Sequence, residues 1–249
     1  MGQLDASTRR LRSVGRTLDR LSRTRSPVEP ELVGVAGLLG PGAVCCDVGA
    51  AFGLYTLAFA DRVGPTGRVL AFEPLPGPNA VLRRAVRAAG AHSVEVFRAA
   101  LAEVPRRGTM SLPKRYRLPV HGRAFVADRA TGLGSNAEFP DERRLDVAVT
   151  TLDRVVAALE LARLDLIKVD VEGAELAVLV GAERTLRRFR PSVMLEIEAR
   201  HLGRYGTDPA AVVAHLTDRG YRMSRLRDGR WCRVEEVTAA ARNYLFTPG

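Results

Sequence analysis

Apolar residues along this chain gather into short runs that alternate with stretches of helical periodicity. Ala43–Val48, Arg68–Phe72, Val94–Arg98, Leu164–Val169 and Pro191–Ile197 are nearly continuous apolar runs. Such runs mark parallel strands covered on both faces. Leu54–Asp61, Asn79–Ala89, Glu175–Arg188 and Pro209–Arg219 carry helix patterns, and in the third Leu176, Leu179, Val180 and Leu186 define one buried face. Tyr221–Leu226 and Asn243–Phe246 read as two last strands, with Arg230–Val234 lengthening a hairpin. The order specifies an α/β protein, Rossmann-like and doubly wound. Its mostly parallel sheet should have about seven strands and a terminal β-hairpin.

Two segments break the rhythm. Near the N-terminus Leu4, Leu11, Val14, Leu18 and Leu21 recur at heptad-like spacing, which predicts an amphipathic helix with an Arg-rich outer face. Pro27 and Pro30 end it, and Glu31–Leu39 suits a second short helix stopped by Gly40-Pro41-Gly42. The second break, residues 103–150, is rich in Gly, Pro and charge, with β-like pieces at Gly108–Leu112 and Leu145–Thr150. It leaves the third strand at its C-terminal end, the edge along which open α/β sheets bind ligands. The chain therefore divides into a helical appendage, 1–41, and one domain, 42–249, whose basic insertion at 103–150 is placed to cover a site.

Composition refines this picture. With 249 residues, 46% of them hydrophobic, the chain can bury one sizeable core. The run Gly42–Ala60 is apolar enough to suggest a membrane span, but Asp47 and three glycines favour strand–turn–helix. The N-terminus lacks the apolar core of a secretory signal, so a cytoplasmic enzyme is expected. Cys45 and Cys46 are adjacent in a strand, point to opposite faces and cannot easily bridge, so buried reduced thiols are expected. Net charge is +10 and uneven: it concentrates in residues 1–27 and 105–130. Only Lys114 and Lys168 are lysines, and the Arg bias with abundant Ala suggests a GC-rich bacterial genome.

The chemistry starts at Asp47-Val-Gly-Ala-Ala-Phe-Gly53, a strand end running into a glycine turn, with Glu73 at the end of the next strand. Turn glycines let backbone approach a ligand, and a carboxylate at the second strand end can hold a ribose diol. The arrangement suits an adenosine-containing cofactor. A dinucleotide fingerprint needs three glycines for its pyrophosphate; only Gly49 and Gly53 are present, and Asp47 would repel a pyrophosphate. A cationic methionine ammonium and sulfonium would be attracted, which favours S-adenosylmethionine over NAD. The second signal is Leu164–Glu175, a buried strand that emits Asp170 and Glu172 before Gly173 turns into a helix. Lys168 and Glu175 are read as surface pairs, and Asp170, at the end of a central strand, as functional.

Together these segments resemble the FkbM-type family of class I S-adenosylmethionine-dependent methyltransferases. The resemblance rests on Asp47–Thr56, Ala71–Pro74, Thr151–Asp153, Ile167–Glu175 and Arg190–Ile197. One departure is Ala51, where the family usually has Asn. Membership implies O-methylation of a hydroxyl on a sugar or secondary metabolite. By position, Gly49, Ala50, Gly53 and Tyr55 should line the methionine portion of the donor, and Asp47 should face its ammonium, directly or through water. Glu73 should bind the ribose, Ala99, Ala100 and Leu101 should border the adenine, and Asp170 should lie near donor and acceptor.

An aliphatic hydroxyl needs its proton removed as the new bond forms, and Asp170, Glu172 and His121 are the candidate bases. His92, His201 and His215 are read as surface or packing residues. A less favoured version uses a divalent metal on Asp170, Glu196 and Glu198; it is weakened by the expectation that Glu196 and Glu198 face opposite ways. The basic insertion suggests a small-molecule acceptor with an anionic feature, free or held on an acidic carrier protein. Nucleic acid is disfavoured, since Tyr116 and Phe125 alone offer base stacking in that segment. The N-terminal helix suits packing on the body or a homodimer contact better than a membrane surface. A non-catalytic scaffold is the remaining alternative.

Overall fold

The computed structural model describes residues 6–22, 29–139 and 141–249. Helices α1 (Ala6–Ser22) and α2 (Glu31–Ala36) come first, then β1 (Val44–Val48), α3 (Leu54–Val63), β2 (Arg68–Phe72), α4 (Pro76–Ala89) and β3 (Val94–Phe97). The insertion follows as β4 (Ala99–Leu101), β5 (Arg106–Arg115), β6 (Leu118–Pro119), β7 (Phe125–Val126) and β8 (Asp141–Thr150). The chain closes with α5 (Leu152–Ala158), β9 (Leu166–Val169), α6 (Glu175–Val180), α7 (Glu183–Phe189), β10 (Ser192–Glu196), α8 (Ala199–Leu202), α9 (Pro209–Thr217), β11 (Tyr221–Arg227), β12 (Arg230–Arg233) and β13 (Asn243–Pro248).

The main sheet has eight strands in the order β12-β11-β13-β10-β9-β1-β2-β3. The expected doubly wound sheet is present, and β12 of the hairpin adds the eighth strand at its edge. Strands β10, β9, β1, β2 and β3 are mutually parallel, while β13 runs antiparallel between β10 and β11. Strand order reverses between β1 and β9, so their C-terminal ends open a crevice, the usual ligand position in such sheets.

Each face of the sheet carries its own core. Cys45, Val69, Leu166 and Met194 face α3 and α4 with Leu11 and Leu32, whereas Cys46, Leu70, Ile167 and Val193 face the opposite cluster. The adjacent cysteines do point opposite ways, and burial raises the pKa of both thiols well above the ordinary value. Leu11, Val14 and Leu18 of the N-terminal stripe pack on the body, with α1 against α3; Leu4, Arg23, Arg25 and Pro27 lie outside the described residues. No helix among the described residues is long and apolar enough to cross a membrane.

One local expectation needs correction, and another is extended. The helix expected over Glu175–Arg188 is broken at Gly181 into α6 and α7. A Cβ on Gly181 would lie 2.0 Å from the Ala102 carbonyl oxygen, so the helix opens where the insertion presses on it. Asp153 caps the restart by accepting from the Thr185 amide at 2.8 Å and the Arg184 amide at 3.0 Å. In the insertion, the expected β-like pieces at Gly108–Leu112 and Leu145–Thr150 lie within longer strands, β5 and β8. The insertion forms a second sheet, β4-β8-β5-β6 with β7 on β5, in which β5 and β8 pair from Arg106 opposite Val149 to Lys114 opposite Asp141.

Candidate functional site

At the crevice the chain encloses a cavity of about 450 Å³. Its floor is the β1 and β9 ends, with Gly49 and Ala51 on one side and Asp170, Val171 and Glu172 on the other. Glu73 and Leu75 follow from β2, Ala99–Leu101 from β4, and Met110, His121, Arg123 and Val126 from the insertion. The insertion therefore covers the crevice with both apolar and basic side chains.

Gly49 is required by contact as well as conformation. Its φ is +81°, and a Cβ there would meet the Asp170 carbonyl oxygen at 1.8 Å. The amides of Gly49 and Ala50 both donate to the Phe72 carbonyl, which ties the turn to the β2 end that carries Glu73. Glu73 is fixed from two sides, accepting from the Ala51 amide at 2.9 Å through Oε2 and from the Leu75 amide at 2.8 Å through Oε1. Burial raises its pKa to about 7 against the pull of these two donors.

The β9 end holds a chain of coupled charges. Lys168 lies 3.1 Å from Asp170 Oδ2 and 3.8 Å from Asp47 Oδ1, with its side chain 4% exposed. Burial opposes the Lys168 charge, but Asp170 and Asp47 outweigh it and hold its pKa above the ordinary value. Burial likewise opposes the Asp170 charge, and Lys168 with a hydrogen bond from Glu196 outweighs it, so Asp170 stays ionised. Glu196, raised by burial and by Asp170, keeps its proton and directs it to that carboxylate. Glu172 is pushed up to about 8, first by burial and then by Asp170.

The structure sorts the expected site residues. Gly49, Glu73, Ala99, Ala100, Leu101, His121, Asp170 and Glu172 all line the cavity. Asp47 does not: it is fully buried beneath the turn, with Oδ2 2.5 Å from Thr56 Oγ1 and Lys168 as its cation. Ala50 and Gly53 are buried and are not among the residues that line the cavity. Tyr55 points away because α3 turns it into the body, where its hydroxyl donates to Glu29 Oε2 at 2.7 Å and its ring lies 4.7 Å from Lys168 Nζ.

Lys168 and Glu175, expected as surface pairs, are 3% and 2% exposed. Glu175 Oε1 instead accepts from the Gly173 amide at 3.1 Å, holding the turn after Asp170. His201, expected at the surface or in packing, is 2% exposed and sits 3.2 Å from Glu172 Oε2.

Glu196 and Glu198 both line the cavity, contrary to the expectation of opposite faces; positions two apart in an extended chain share a face. Their partners differ, however. Glu198 is held by Arg200 at 2.6 Å and lies 3.7 Å from Arg242. The carboxylates that meet are Asp170, Glu172 and Glu196, with ligand oxygens within 4.8 Å of one another. Lys168 and the Glu196 proton already offset charge in that cluster. Arg123 comes from the basic insertion expected over the site, whereas Arg200 and Arg242 are lining residues that no sequence pattern indicated.

The chain is similar in sequence to known proteins over most of its length. The chain is 30% identical over 238 residues to the AMB antimetabolite synthetase AmbE of Pseudomonas aeruginosa, covering 85% of this chain and 11% of AmbE. It is 34% identical over 160 residues to the 31-O-demethyl-FK506 methyltransferase FkbM of Streptomyces tacrolimicus, covering 58% of this chain and 61% of that protein. It is 31% identical over 201 residues to the methyltransferase sdnD of Sordaria araneosa, covering 73% and 74%. The chain thus spans under two thirds of the length of the first two. The methyltransferase FkbM domain model matches residues 47–223, from the strand that carries the glycine turn to β11 of the terminal hairpin, and the chain belongs to that family.

Proposed function

We propose that this chain transfers a methyl group from S-adenosylmethionine to a hydroxyl of a small acceptor, a sugar or a secondary metabolite. Glu73 carries the donor reading. Two backbone amides fix its carboxylate at the cavity wall, and each oxygen retains acceptor capacity for a vicinal diol. Gly49 beside it lets the turn close against the β9 end that carries Asp170, which sets the two carboxylates along one cavity floor. Family membership supports methyl transfer, and the similarity to a 31-O-demethyl-FK506 methyltransferase supports a hydroxyl acceptor.

Bound S-adenosylmethionine supplies a methyl group already activated by the sulfonium. The protein's own residues then have to align the acceptor, exclude water and take up a proton. Phe72, Leu101, Met110 and Val126 make much of the wall apolar. Asp170, held ionised, is a fixed acceptor at the cavity floor and orients a hydroxyl or the donor's ammonium. Glu172 is the general base in this reading, because a pKa of about 8 matches proton uptake near neutral pH. His121, whose pKa burial lowers, stands across the cavity on the insertion as the competing base.

A second feature concerns the acceptor. Arg200 and Arg242 share the single carboxylate of Glu198 at the cavity wall, and Arg123 joins them from the insertion. These guanidiniums, Arg123 beside Glu138 and the other two beside Glu198, are the groups that a phosphate or carboxylate on an acceptor, free or carrier-bound, would meet in this reading. The test is transfer of labelled methyl from S-adenosylmethionine to a panel of hydroxyl acceptors, neutral and anionic. Label in an ether methyl supports the reading; label recovered only on nitrogen or carbon overturns it.

A further inference from the structure

We propose that Leu101, Val126 and Ala174 form a partition at the purine end of the donor site and make it specific for an adenine whose N6 amino group carries no substituent. This rests on the donor reading carried by Glu73.

The partition separates two spaces. Beside the crevice cavity lies a hollow of about 300 Å³ between the insertion and α6. Leu101, Val126 and Ala174 line the cavity and the hollow alike, so the wall between them is one residue thick. All three are buried.

Backbone contacts hold each of them in place. Leu101 ends β4 and lies opposite Thr150 in the β4–β8 pair. Val126 ends β7 opposite Met110, and its carbonyl accepts from the Tyr205 hydroxyl at 2.8 Å. Ala174 starts α6 after Gly173, where a Cβ would lie 2.4 Å from the His201 carbonyl oxygen, so the start of α6 is pressed against α8.

The purine points at this partition. In the donor reading Glu73 takes the ribose and Ala99, Ala100 and Leu101 border the adenine. N9 joins the purine to the ribose, so N6 lies at the opposite end, away from Glu73 and toward Leu101. A group added to N6 meets close-packed side chains, and forcing extra volume into such packing is unfavourable. Behind the partition the hollow is mainly apolar, with Leu176, Ala177 and Val180 in its lining. Glu103 and Arg129, which also line it, pair with each other at 2.7 Å. An apolar cavity of roughly 150 Å³ already holds benzene. The hollow therefore has room for a benzyl group, and the partition alone keeps that group out.

The experiment measures binding of S-adenosylhomocysteine and of its N6-benzyl derivative by calorimetry. The native chain should bind the parent about 10-fold or more tighter than the derivative. Val126→Ala should raise the ratio of derivative to parent affinity about 10-fold, and Leu101→Val, which thins the partition from its other side, should raise it too. Ala177→Leu fills the hollow from behind. Alone it should leave S-adenosylhomocysteine binding unchanged, and added to Val126→Ala it should remove the gain. A cooperative thermal transition shows that each variant is folded. Equal affinity of the native chain for both ligands, no gain in either thinned variant, or a gain that survives Ala177→Leu would overturn the partition. If the native chain binds neither ligand, it is the donor reading that fails.

Discussion

Lys168 Nζ lies 3.1 Å from Asp170 Oδ2, buried in the strand that delivers Asp170 to the cavity floor. The same ammonium is 3.8 Å from fully buried Asp47, so one cation serves two carboxylates under the glycine turn. Removing one partner of a buried charge group costs about 3–5 kcal/mol, because the remaining charges stay uncompensated. Lys168→Met should therefore lower unfolding stability by about 3 kcal/mol or more. Urea denaturation measures this; a loss under about 1 kcal/mol would mean the carboxylates neutralise themselves by taking up protons.

Glu73→Ala should weaken binding of S-adenosylhomocysteine by about 1.5–3 kcal/mol, the range for hydrogen bonds to a charged group. Part of that loss comes from freeing the Ala51 and Leu75 amides that Glu73 holds. Calorimetry on the variant decides it, and unchanged affinity removes Glu73 from the ribose role.

Ala51 has φ +46°, a left-handed conformation that disfavours a Cβ and suits Gly or Asn. Ala51→Gly should raise stability by about 0.5–1 kcal/mol, the steric relief less the entropy of a freer unfolded chain. Thermal unfolding reads it; a fall in Tm would show that the turn is not strained. The Asn usual in the family at this position has the same conformational rationale.

The raised carboxyls give stability a definite pH dependence. Glu73 and Glu175 titrate near 7 and Glu172 near 8 in the folded chain, all above the ordinary Glu value of 4.5. Between those values the folded state binds protons that the unfolded state has released, so stability falls as pH rises. It should be highest near pH 5 and lowest above pH 8, and Glu172→Gln should flatten the slope. Catalysis runs the other way: with Glu172 as base, kcat/KM should rise with pH and level off above about 8. Denaturation midpoints and rates at a series of pH values check both signs.

Much of this was legible in the sequence for a simple reason. Strands buried on both faces are continuous apolar runs, and a carboxylate that ends such a run, as Glu73 and Asp170 do, stands out. The second sheet was legible only in part: Gly108–Leu112 and Leu145–Thr150 read as β-like pieces and lie in β5 and β8, but the charged start of β8, with Arg143 and Arg144, reads as loop. Tyr55 was placed at the site by family position and Asp47 by charge as well, but side-chain direction sends Tyr55 into the body and Asp47 beneath the turn. His201 left no signal at all. Its neighbours Glu172 and Arg204 meet it only because β9 and β10 are adjacent in the sheet and α8 folds back over the turn between β9 and α6.

The most direct test of the donor site is a calorimetric titration of the protein with S-adenosylhomocysteine, using NAD as the control ligand. The account predicts one-to-one binding of S-adenosylhomocysteine and none of NAD. Failure to bind, in folded protein shown to be free of retained cofactor, would contradict it and bring the scaffold reading to the front.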